Sequence, residues 1–575
     1  MIGSQLARAW FVLGFFVALR SVEAQELRGT VRDAASRQPI PGAVITLFDS
    51  RGSALGRNIT DESGRYRIVV PSQAATLRFV RIGFRPFTAN VPRPGAAIDT
   101  LDIAMTSLPT MLDPVSVRAN ACPARPDAGS ALGLLEQARA GLLNSVVARK
   151  ANPASVVIIR FQRMMDGTSD RIASQSVTID STARSTSSFT AIRSASEFVK
   201  FGFVNDADGG ATFYAPDAES LLDDAFIAGY CMRLVKADRS RPAEVGLGFS
   251  APNRMRDRVD IDGVLWVDTV SRRLQSLEFR YVGLDRRLDD ARPGGWVSFR
   301  EMQNGVVIID RWSLRLPVIH TDSVYHTGRR EFVSRDVVDA QETGGEIARI
   351  AWTPSPTWNA SLGTLRVLAT NEAKRPAVGA RVQLENTTYT GRADSTGSIT
   401  VARLLPGPYK LVTIDSQLEA IGVKLTTSIS FTAVRDSVHL ANLVVQTAND
   451  YVTERCIHDG RWVRTMPRPH PGTAWIIGRV VDGGNVPISG VSASAFKGGR
   501  VDVATAGMDP PGISSTRTGT DGIFQMCSGL FSVGDSALIR IERRGLPPIE
   551  RTYRLGDTLT VLPLIRDPRR PGYFP

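Results

Sequence analysis

The feature that most constrains the fold is a turn pattern that occurs three times along the chain. In each copy a turn glycine is followed, two positions later, by an apolar residue in a strand-like run. Glycine adopts positive φ without steric cost, and aspartate can hydrogen-bond its own turn backbone. The predicted turn residues are Asp61, Gly64, Asp394, Gly397, Asp521 and Gly522. The residues expected to point into the module cores are Tyr66, Ile399 and Phe524.

The first copy carries the most complete set of landmarks. Gly29, Val31 and Asp33 form a Gly-x-Val-x-Asp run, and Pro41-Gly-Ala43 and Gly83-Phe84 follow. These residues resemble the carboxypeptidase regulatory-like domain, and the third and second copies resemble it progressively less. The resemblance implies a small β-sandwich of the transthyretin or prealbumin type, similar in shape to carbohydrate-binding folds. Such modules are non-catalytic appendages, so the resemblance implies no enzyme activity.

The segment after the first copy, Leu112 to Arg118, is similar to the strand that follows this module in TonB-dependent receptors. The sequence after it has no glycine-rich plug and no series of alternating barrel strands. No peptidase domain is recognisable either. We therefore expect the receptor's accessory module on a different body, without a receptor barrel.

The chain is predicted to be mainly β and multidomain: three small antiparallel β-sandwich modules and a central α+β antiparallel meander that could form a half-barrel. The domain lengths suit a chain of 575 residues. The predicted bounds are a signal peptide at 1–24, sandwiches at 25–108, 361–448 and 473–567, a linker strand at 109–120, the central domain at 121–350, linkers at 351–360 and 449–472, and a tail at 568–575.

The central domain should begin with a helix near residues 130–150, because apolar residues recur there at helical spacing. The strands that follow resemble in pattern the half-barrel of periplasmic lipoprotein carriers. Five aromatic residues could then line an apolar concavity for a lipid or other hydrophobic ligand, or they could simply fill the core. These residues are Trp266, Phe279, Trp296, Phe299 and Trp312.

The N-terminus predicts export. Arg8 supplies the positive charge, Trp10 to Leu19 the apolar run, and Val22 to Ala24 a small-residue cleavage site. No later stretch approaches the length of a membrane helix. An exported protein with four cysteines is expected to form two disulfides, and the sequence allows three pairings. We favour Cys122–Cys231 and Cys456–Cys527, since each pair then stays within one domain.

The net charge of +12 does not indicate nucleic acid. Basic and acidic residues are spread along the chain without a lysine-rich tail, and export argues against such a partner. If the charge is functional, anionic envelope surfaces or acidic glycans are the expected partners.

No enzyme site is recognisable. A metallocarboxypeptidase needs His and Glu zinc ligands, and no His-x-x-Glu is present. Gly-x-Ser-x-Gly and phosphate-loop motifs are also missing, and no cofactor or metal site is expected. The adjacent carboxylates, such as Asp223 with Asp224, point in different directions and suit a solvated loop.

Three functions remain as hypotheses. The first is an exported, non-enzymatic binding or scaffold protein of the periplasm or the outer-membrane surface, with envelope proteins as partners. The second is glycan binding on the sandwich loops through aromatics such as Tyr66, Phe84 and Tyr409. The third is a lipid or lipoprotein carrier that uses the central domain.

Overall fold

The computed structural model forms two compact units. The first comprises Met1–Val156, Thr182–Ala340 and Gly344–Thr357, and the second comprises Val157–Ser181, Gln341–Thr343 and Trp358–Pro575. The residues that the structure describes are 25–92, 98–108, 128–151, 154–166, 169–183, 193–207, 210–236, 239–252, 258–327, 330–352, 357–423, 425, 428–446, 448–458, 472–498, 513–527 and 529–568.

The first module is a β-sandwich of two sheets. Its strands are β1 (Gln25–Asp33), β2 (Val44–Asp49), β3 (Ala54–Ile59), β4 (Arg65–Val70), β5 (Ala74–Val80), β6 (Phe87–Asn90), β7 (Ile98–Thr100) and β8 (Ile103–Met105). One sheet has the order β3-β2-β5-β6. In the other, β1 pairs antiparallel with β4 and parallel with β7 and β8. This sheet is therefore mixed, whereas the sequence predicted antiparallel pairing alone.

The module core lies between the two sheets. Along β4 buried and exposed residues alternate, so that Tyr66 and Ile68 point inward and the arginines between them point to solvent. This confirms the alternation predicted from the sequence. Tyr66 packs edge-on against Phe79, and its hydroxyl donates to the Leu101 carbonyl at 2.7 Å.

The second and third modules repeat this strand order. The second has β20 (Thr357–Asn359) before it and contains β21 (Gly363–Thr370), β22 (Arg381–Leu384), β23 (Thr390–Arg392), β24 (Ser398–Leu404), β25 (Gly407–Ile414), β26 (Ser428–Ala433) and β27 (Val438–Val444). The third contains β28 (Trp475–Val481), β29 (Ser492–Lys497), β30 (Ile513–Arg517), β31 (Ile523–Met526), β32 (Ser536–Glu542), β33 (Ile549–Arg554), β34 (Leu559–Val561) and β35 (Ile565–Arg566). Their sheets run β24-β21-β27 with β23-β22-β25-β26, and β31-β28-β34 with β30-β29-β32-β33.

Backbone hydrogen bonds align the three copies residue by residue. The amide of Val31 donates to the Gly64 carbonyl, that of Ala369 to Gly397, and that of Val480 to Gly522, at 2.7–2.8 Å. The residues two positions after the turn glycines are buried in every copy, as predicted, and they are Tyr66, Ile399 and Phe524.

The turn glycines are required by both conformation and space. Gly64 has φ +70°, and a Cβ there would lie 2.6 Å from the Val31 carbonyl oxygen. Asp61 accepts from the Ser63 and Arg65 amides at 2.9 Å. In the third copy, however, Gly519 makes the backbone bond that Asp61 makes in the first. Asp521 therefore does not occupy the predicted turn position, because it directly precedes its glycine.

The central region begins with α1 (Ala128–Ala151), which confirms the predicted helix. The elements that follow are β9 (Ala154–Met165), β10 (Ile172–Ala183), α2 (Ala195–Phe201), β11 (Val204–Ala207), β12 (Gly210–Phe213), α3 (Ala218–Leu222), α4 (Asp224–Gly229), β13 (Cys231–Lys236), β14 (Glu244–Ser250), β15 (Asp260–Asp268), β16 (Arg273–Val282), α5 (Arg286–Asp289), β17 (Gly294–Glu301), β18 (Val307–Thr327) and β19 (Arg330–Trp352). Strands β13 to β18 pair antiparallel in sequence order, which is the predicted meander.

Two segments predicted as linkers are ordered elements. Trp352 ends β19 and is buried. The segment from residue 449 belongs to helix α7 (Ala448–His458), and a shorter helix, α6 (Ser416–Ala420), lies between β25 and β26. Both helices contribute to an apolar cluster with the third module. The linker prediction was wrong here because a short helix depends on the surface it covers rather than on its own sequence.

Candidate functional site

The first module is attached to the central meander by one buried amide, that of Asn144 on α1. Its Nδ2 donates to the Gly42 carbonyl at 2.7 Å and to the Gly305 carbonyl at 2.9 Å. Its Oδ1 accepts from the Val307 amide at 2.7 Å. Asn144 is only 1% exposed, so these bonds form away from water. We call this arrangement the Asn144 clasp.

The backbones joined by the clasp approach too closely for side chains. Gly42 and Gly305 have φ of +71° and +77°. A Cβ on Gly42 would lie 2.1 Å from the Gly305 oxygen, and one on Gly305 would lie 2.5 Å from the Gly42 nitrogen. Gly42 belongs to the Pro41-Gly-Ala43 landmark of the regulatory-like pattern. That landmark here forms part of a contact between domains.

Further polar contacts surround the clasp. Arg81 donates to the Pro41 carbonyl at 3.0 Å and pairs with Glu301 at 2.7 Å, and both side chains are 11% exposed. Gln137 on α1 accepts from the Gly83 amide at 2.7 Å. Gly83 is a second landmark of the first copy. The first module is thus held by buried polar groups on several sides.

The second and third modules are joined by apolar packing. Residues of α6, α7 and the outer face of the sheet that contains β28 form one buried cluster. Its described members include Leu418, Ile421, Val452, Trp475 and Ile477. The two modules therefore share a core inside the second unit.

Arginines complete the junction between these modules. Arg479 donates to the carbonyls of Gly422 at 2.8 Å and Ile421 at 3.1 Å, directly after α6, and to the Asp521 carbonyl at 2.9 Å. Arg455 on α7 pairs with the Asp521 carboxylate at 3.0 Å. Asp521, predicted as a turn residue, thus also binds the helix that covers its module.

The structure divides the five predicted lining aromatics between the two faces of the meander. Leu265, Leu277 and Val297 are paired across the sheet on the face that α1 covers. Phe279, Phe299 and Trp312 share that face, and all three are buried. The alternation of the strands puts the other two, Trp266 and Trp296, on the opposite face.

The five aromatics therefore do not line a single concavity. On the opposite face, the Arg241 guanidinium lies 5.0 Å from the Trp266 ring and that of Arg311 lies 5.7 Å from the Trp296 ring. The signal was present in the sequence: Trp296 and Phe299 are three residues apart, and an odd separation along a strand reverses the face.

The predicted cysteine pairs involve positions beyond the described side chains. Cys231 and Cys527 are both disulfide-bonded. Cys122 lies outside the described residues, and so does the side chain of Cys456 on α7. The pairing Cys122–Cys231 and Cys456–Cys527 stays a prediction.

An open cleft of about 420 Å³ lies on the second module, within the second unit. We call it the polar cleft. Its floor is the outer face of β25 and β26, and β10 forms one side. Lys410 and Glu385 pair across it at 3.3 Å, so their charges offset each other. Hydroxyl groups from three further lining residues face it, namely Ser174, Ser430 and Thr432.

A buried network fixes the side of the cleft. Gln175 is 7% exposed, and its Nε2 donates to the Pro408 carbonyl at 3.0 Å. Arg163 on β9 donates to the Gln175 side-chain oxygen at 3.2 Å and to the Pro406 carbonyl at 2.8 Å, and it pairs with Glu342 at 3.5 Å. The side of the cleft is therefore pre-formed rather than assembled around a ligand.

Aromatic rings support the cleft from below. The rings of Tyr409 and Phe431 stack at 5.7 Å, and Phe431 stacks on His439 at 4.8 Å. Burial raises the pKa of the Tyr409 hydroxyl well above its ordinary value, and Arg163 opposes this only in part. The hydroxyl thus stays protonated and donates to the Leu405 carbonyl at 3.0 Å. Tyr409 is a buried support and not an exposed loop aromatic.

The most buried carboxylate of the central region has a structural environment. Asp260, 1% exposed, accepts from Arg258 at 3.0 and 3.1 Å and from the Ile261 amide at 2.9 Å. Tyr230 donates its hydroxyl to the same carboxylate, and burial raises the pKa of that hydroxyl. These contacts leave Asp260 no role as a proton acceptor. Within the described residues no group of His, Cys, Asp and Glu could hold a metal ion.

Sequence reasoning missed Asn144 and Gln175. Their partners lie 102 to 233 residues away along the chain. One signal for Asn144 was available, because an amide inside an otherwise apolar helical stripe must find a partner when it is buried. No comparable signal marks Gln175, which lies in a strand of mixed polarity.

The comparisons with known proteins identify one part of the chain. Residues 26–106 match the family model of the carboxypeptidase regulatory-like domain, so the first module is shown to be of this kind. A search of curated proteins gives no match.

Solved structures with similarity include a streptococcal ancillary pilin (12% identity, 48% of this chain and 81% of that one, TM-score 0.16). Others are the major pilin subunit of Bacillus cereus (9%, 73% and 99%, 0.13) and the minor pilin of Streptococcus agalactiae (12%, 37% and 99%, 0.14). Similarities at this level are too distant to bear on the function of this chain.

Proposed function

We propose that this chain, whose first module is a carboxypeptidase regulatory-like domain, is an exported, non-enzymatic scaffold protein of the cell envelope. The observation that carries the proposal is the Asn144 clasp, a buried amide that fixes the module to its neighbour. Flexible appendages are joined by exposed linkers with few contacts. A module held by desolvated hydrogen bonds instead transmits position and load, as a scaffold requires.

The chemistry of the described residues is consistent with binding rather than catalysis. The buried ionisable groups around Asp260 and Arg163 are used in structural contacts. In the described part of the chain no helix is both long and apolar enough to cross a membrane. Envelope proteins are the proposed partners, in the periplasm or at the outer-membrane surface.

Export can be tested by the intact mass of protein recovered from an oxidising compartment. We expect the loss of residues 1–24, because the apolar run and cleavage site predict a signal peptide. We also expect a deficit of four hydrogens, one pair for each of two disulfides. An intact N-terminus with four free thiols would contradict the proposed compartment.

The polar cleft favours a second function, the binding of a neutral glycan segment. Its hydroxyl groups and its mutually neutralised Lys410–Glu385 pair offer donors and acceptors without net charge. Sugar hydroxyl groups both donate and accept, so a pre-formed polar cleft suits them. The lipid-carrier function is not proposed, since the aromatics on which it depended lie on two faces.

Substitution in the cleft tests this function. We expect Lys410→Met to weaken binding to any glycan that the wild type binds by about tenfold, since one charge-assisted hydrogen bond is lost. Binding would be measured on a glycan array and then by calorimetry. Lys374→Met, at an exposed turn of the same module, is the control. A wild-type protein that binds no glycan would reject the function.

A further inference from the structure

The outer face of the sheet formed by β24, β21 and β27 carries an apolar stripe with no cover. Its members are Leu368, Val438, Leu440 and Val444, which are 47%, 53%, 73% and 52% exposed. Strand alternation puts all four on one side of the sheet, since Val438, Leu440 and Val444 are separated by even numbers of residues. We call this surface the Leu440 face. Contiguous apolar patches of this kind mark interaction sites.

The same face of the third module is covered. The shared hydrogen bonds of Ala369 and Val480 align Arg366 with Ile477. Val438 pairs with Thr364 and Leu440 with Arg366, as Leu559 pairs with Trp475 and Val561 with Ile477. In the third module these positions pack under α6 and α7.

The first module solves the problem differently. On its corresponding face, Arg28, Arg67 and Glu26 form ion pairs in solvent. The chain therefore either covers this face with its own helices or makes it polar. Only the second module combines apolar side chains with exposure among the described parts of the three copies.

We propose that the Leu440 face is the interface with a second copy of this chain. A two-fold interface requires a self-complementary surface, on which one patch meets its own copy. The apolar stripe meets this requirement, because apolar side chains pack equally well against themselves. The charges that flank the stripe, Arg366 on β21 and Asp436 just before β27, are opposite in sign. Each can therefore face its counterpart across a two-fold axis.

The edge of the sheet suits the same arrangement. β27 is the last strand in the order β24-β21-β27, and the described residues provide no further strand beside it. The apolar stripe follows this edge strand. A second copy that covers the stripe would also shield an unpaired strand edge, which proteins otherwise protect.

Sedimentation of the full mature chain, from about 1 to 100 μM, tests the interface. We expect a monomer–dimer equilibrium that Leu440→Asp weakens at least tenfold, because two carboxylates would then be buried in the dimer. The side chain is mostly exposed in one copy, so the variant should fold, and circular dichroism would verify this. Val270→Asp, at an isolated valine that is 80% exposed, is the control and should dimerise normally.

Charge exchange tests the two-fold geometry. Arg366→Asp and Asp436→Arg should each weaken the dimer, and the double variant should regain most of the lost affinity. A protein that stays monomeric over the whole concentration range overturns the proposal. So does a dimer that Leu440→Asp leaves unchanged, or a double variant whose losses simply add.

Discussion

Replacement of Asn144 by leucine is expected to lower the free energy of unfolding of the first unit by about 3–6 kcal/mol. The two side chains are similar in volume, so the effect comes from three groups left unpaired in a buried site. These groups are the carbonyls of Gly42 and Gly305 and the amide of Val307. Each buried orphan costs about 1–3 kcal/mol, less where water can enter.

Thermal unfolding with hydrogen exchange would measure the effect. We expect faster exchange on both sides of the clasp, and separate unfolding of the sandwich and the meander. Ser145→Ala is a matched control, since this buried neighbour donates only within its own helix, to the Leu142 carbonyl at 2.7 Å. Equal losses in both variants would show that α1 packing, rather than the clasp, holds the module.

Truncation of Trp475 to alanine is expected to destabilise the second unit by about 3–5 kcal/mol. The side chain is 4% exposed and lies in the apolar cluster that joins the third module to α6 and α7. Loss of its volume leaves a cavity that the two helices can fill only in part. Because the cluster belongs to two modules, we expect them to unfold separately in the variant.

Denaturant unfolding followed by fluorescence and by limited proteolysis near α7 would test this result. Val486→Ala is the control in the same module, because that side chain is 58% exposed and should change stability by no more than about 0.5 kcal/mol. A loss below about 1 kcal/mol for the tryptophan variant would mean that the cluster does not hold the modules together.

The sequence by itself determined the local structure of the modules. The turn glycines Gly64, Gly397 and Gly522 and the inward residues that follow them were predictable, because positive φ and strand alternation depend only on neighbours in the chain. The helix α1 was predictable for the same reason, since its apolar spacing is a local pattern.

Tertiary structure alone decided how the modules are joined. α7 was predicted as a linker because its helix is short and is stabilised by packing against Trp475 and Ile477. The partners of Asn144 lie 102 and 161 residues away, at backbone atoms that carry no signature in the sequence. Any residue offers a carbonyl, so only the folded chain selects those of Gly42 and Gly305. Local patterns therefore specify the modules, while long-range burial determines what those modules form together.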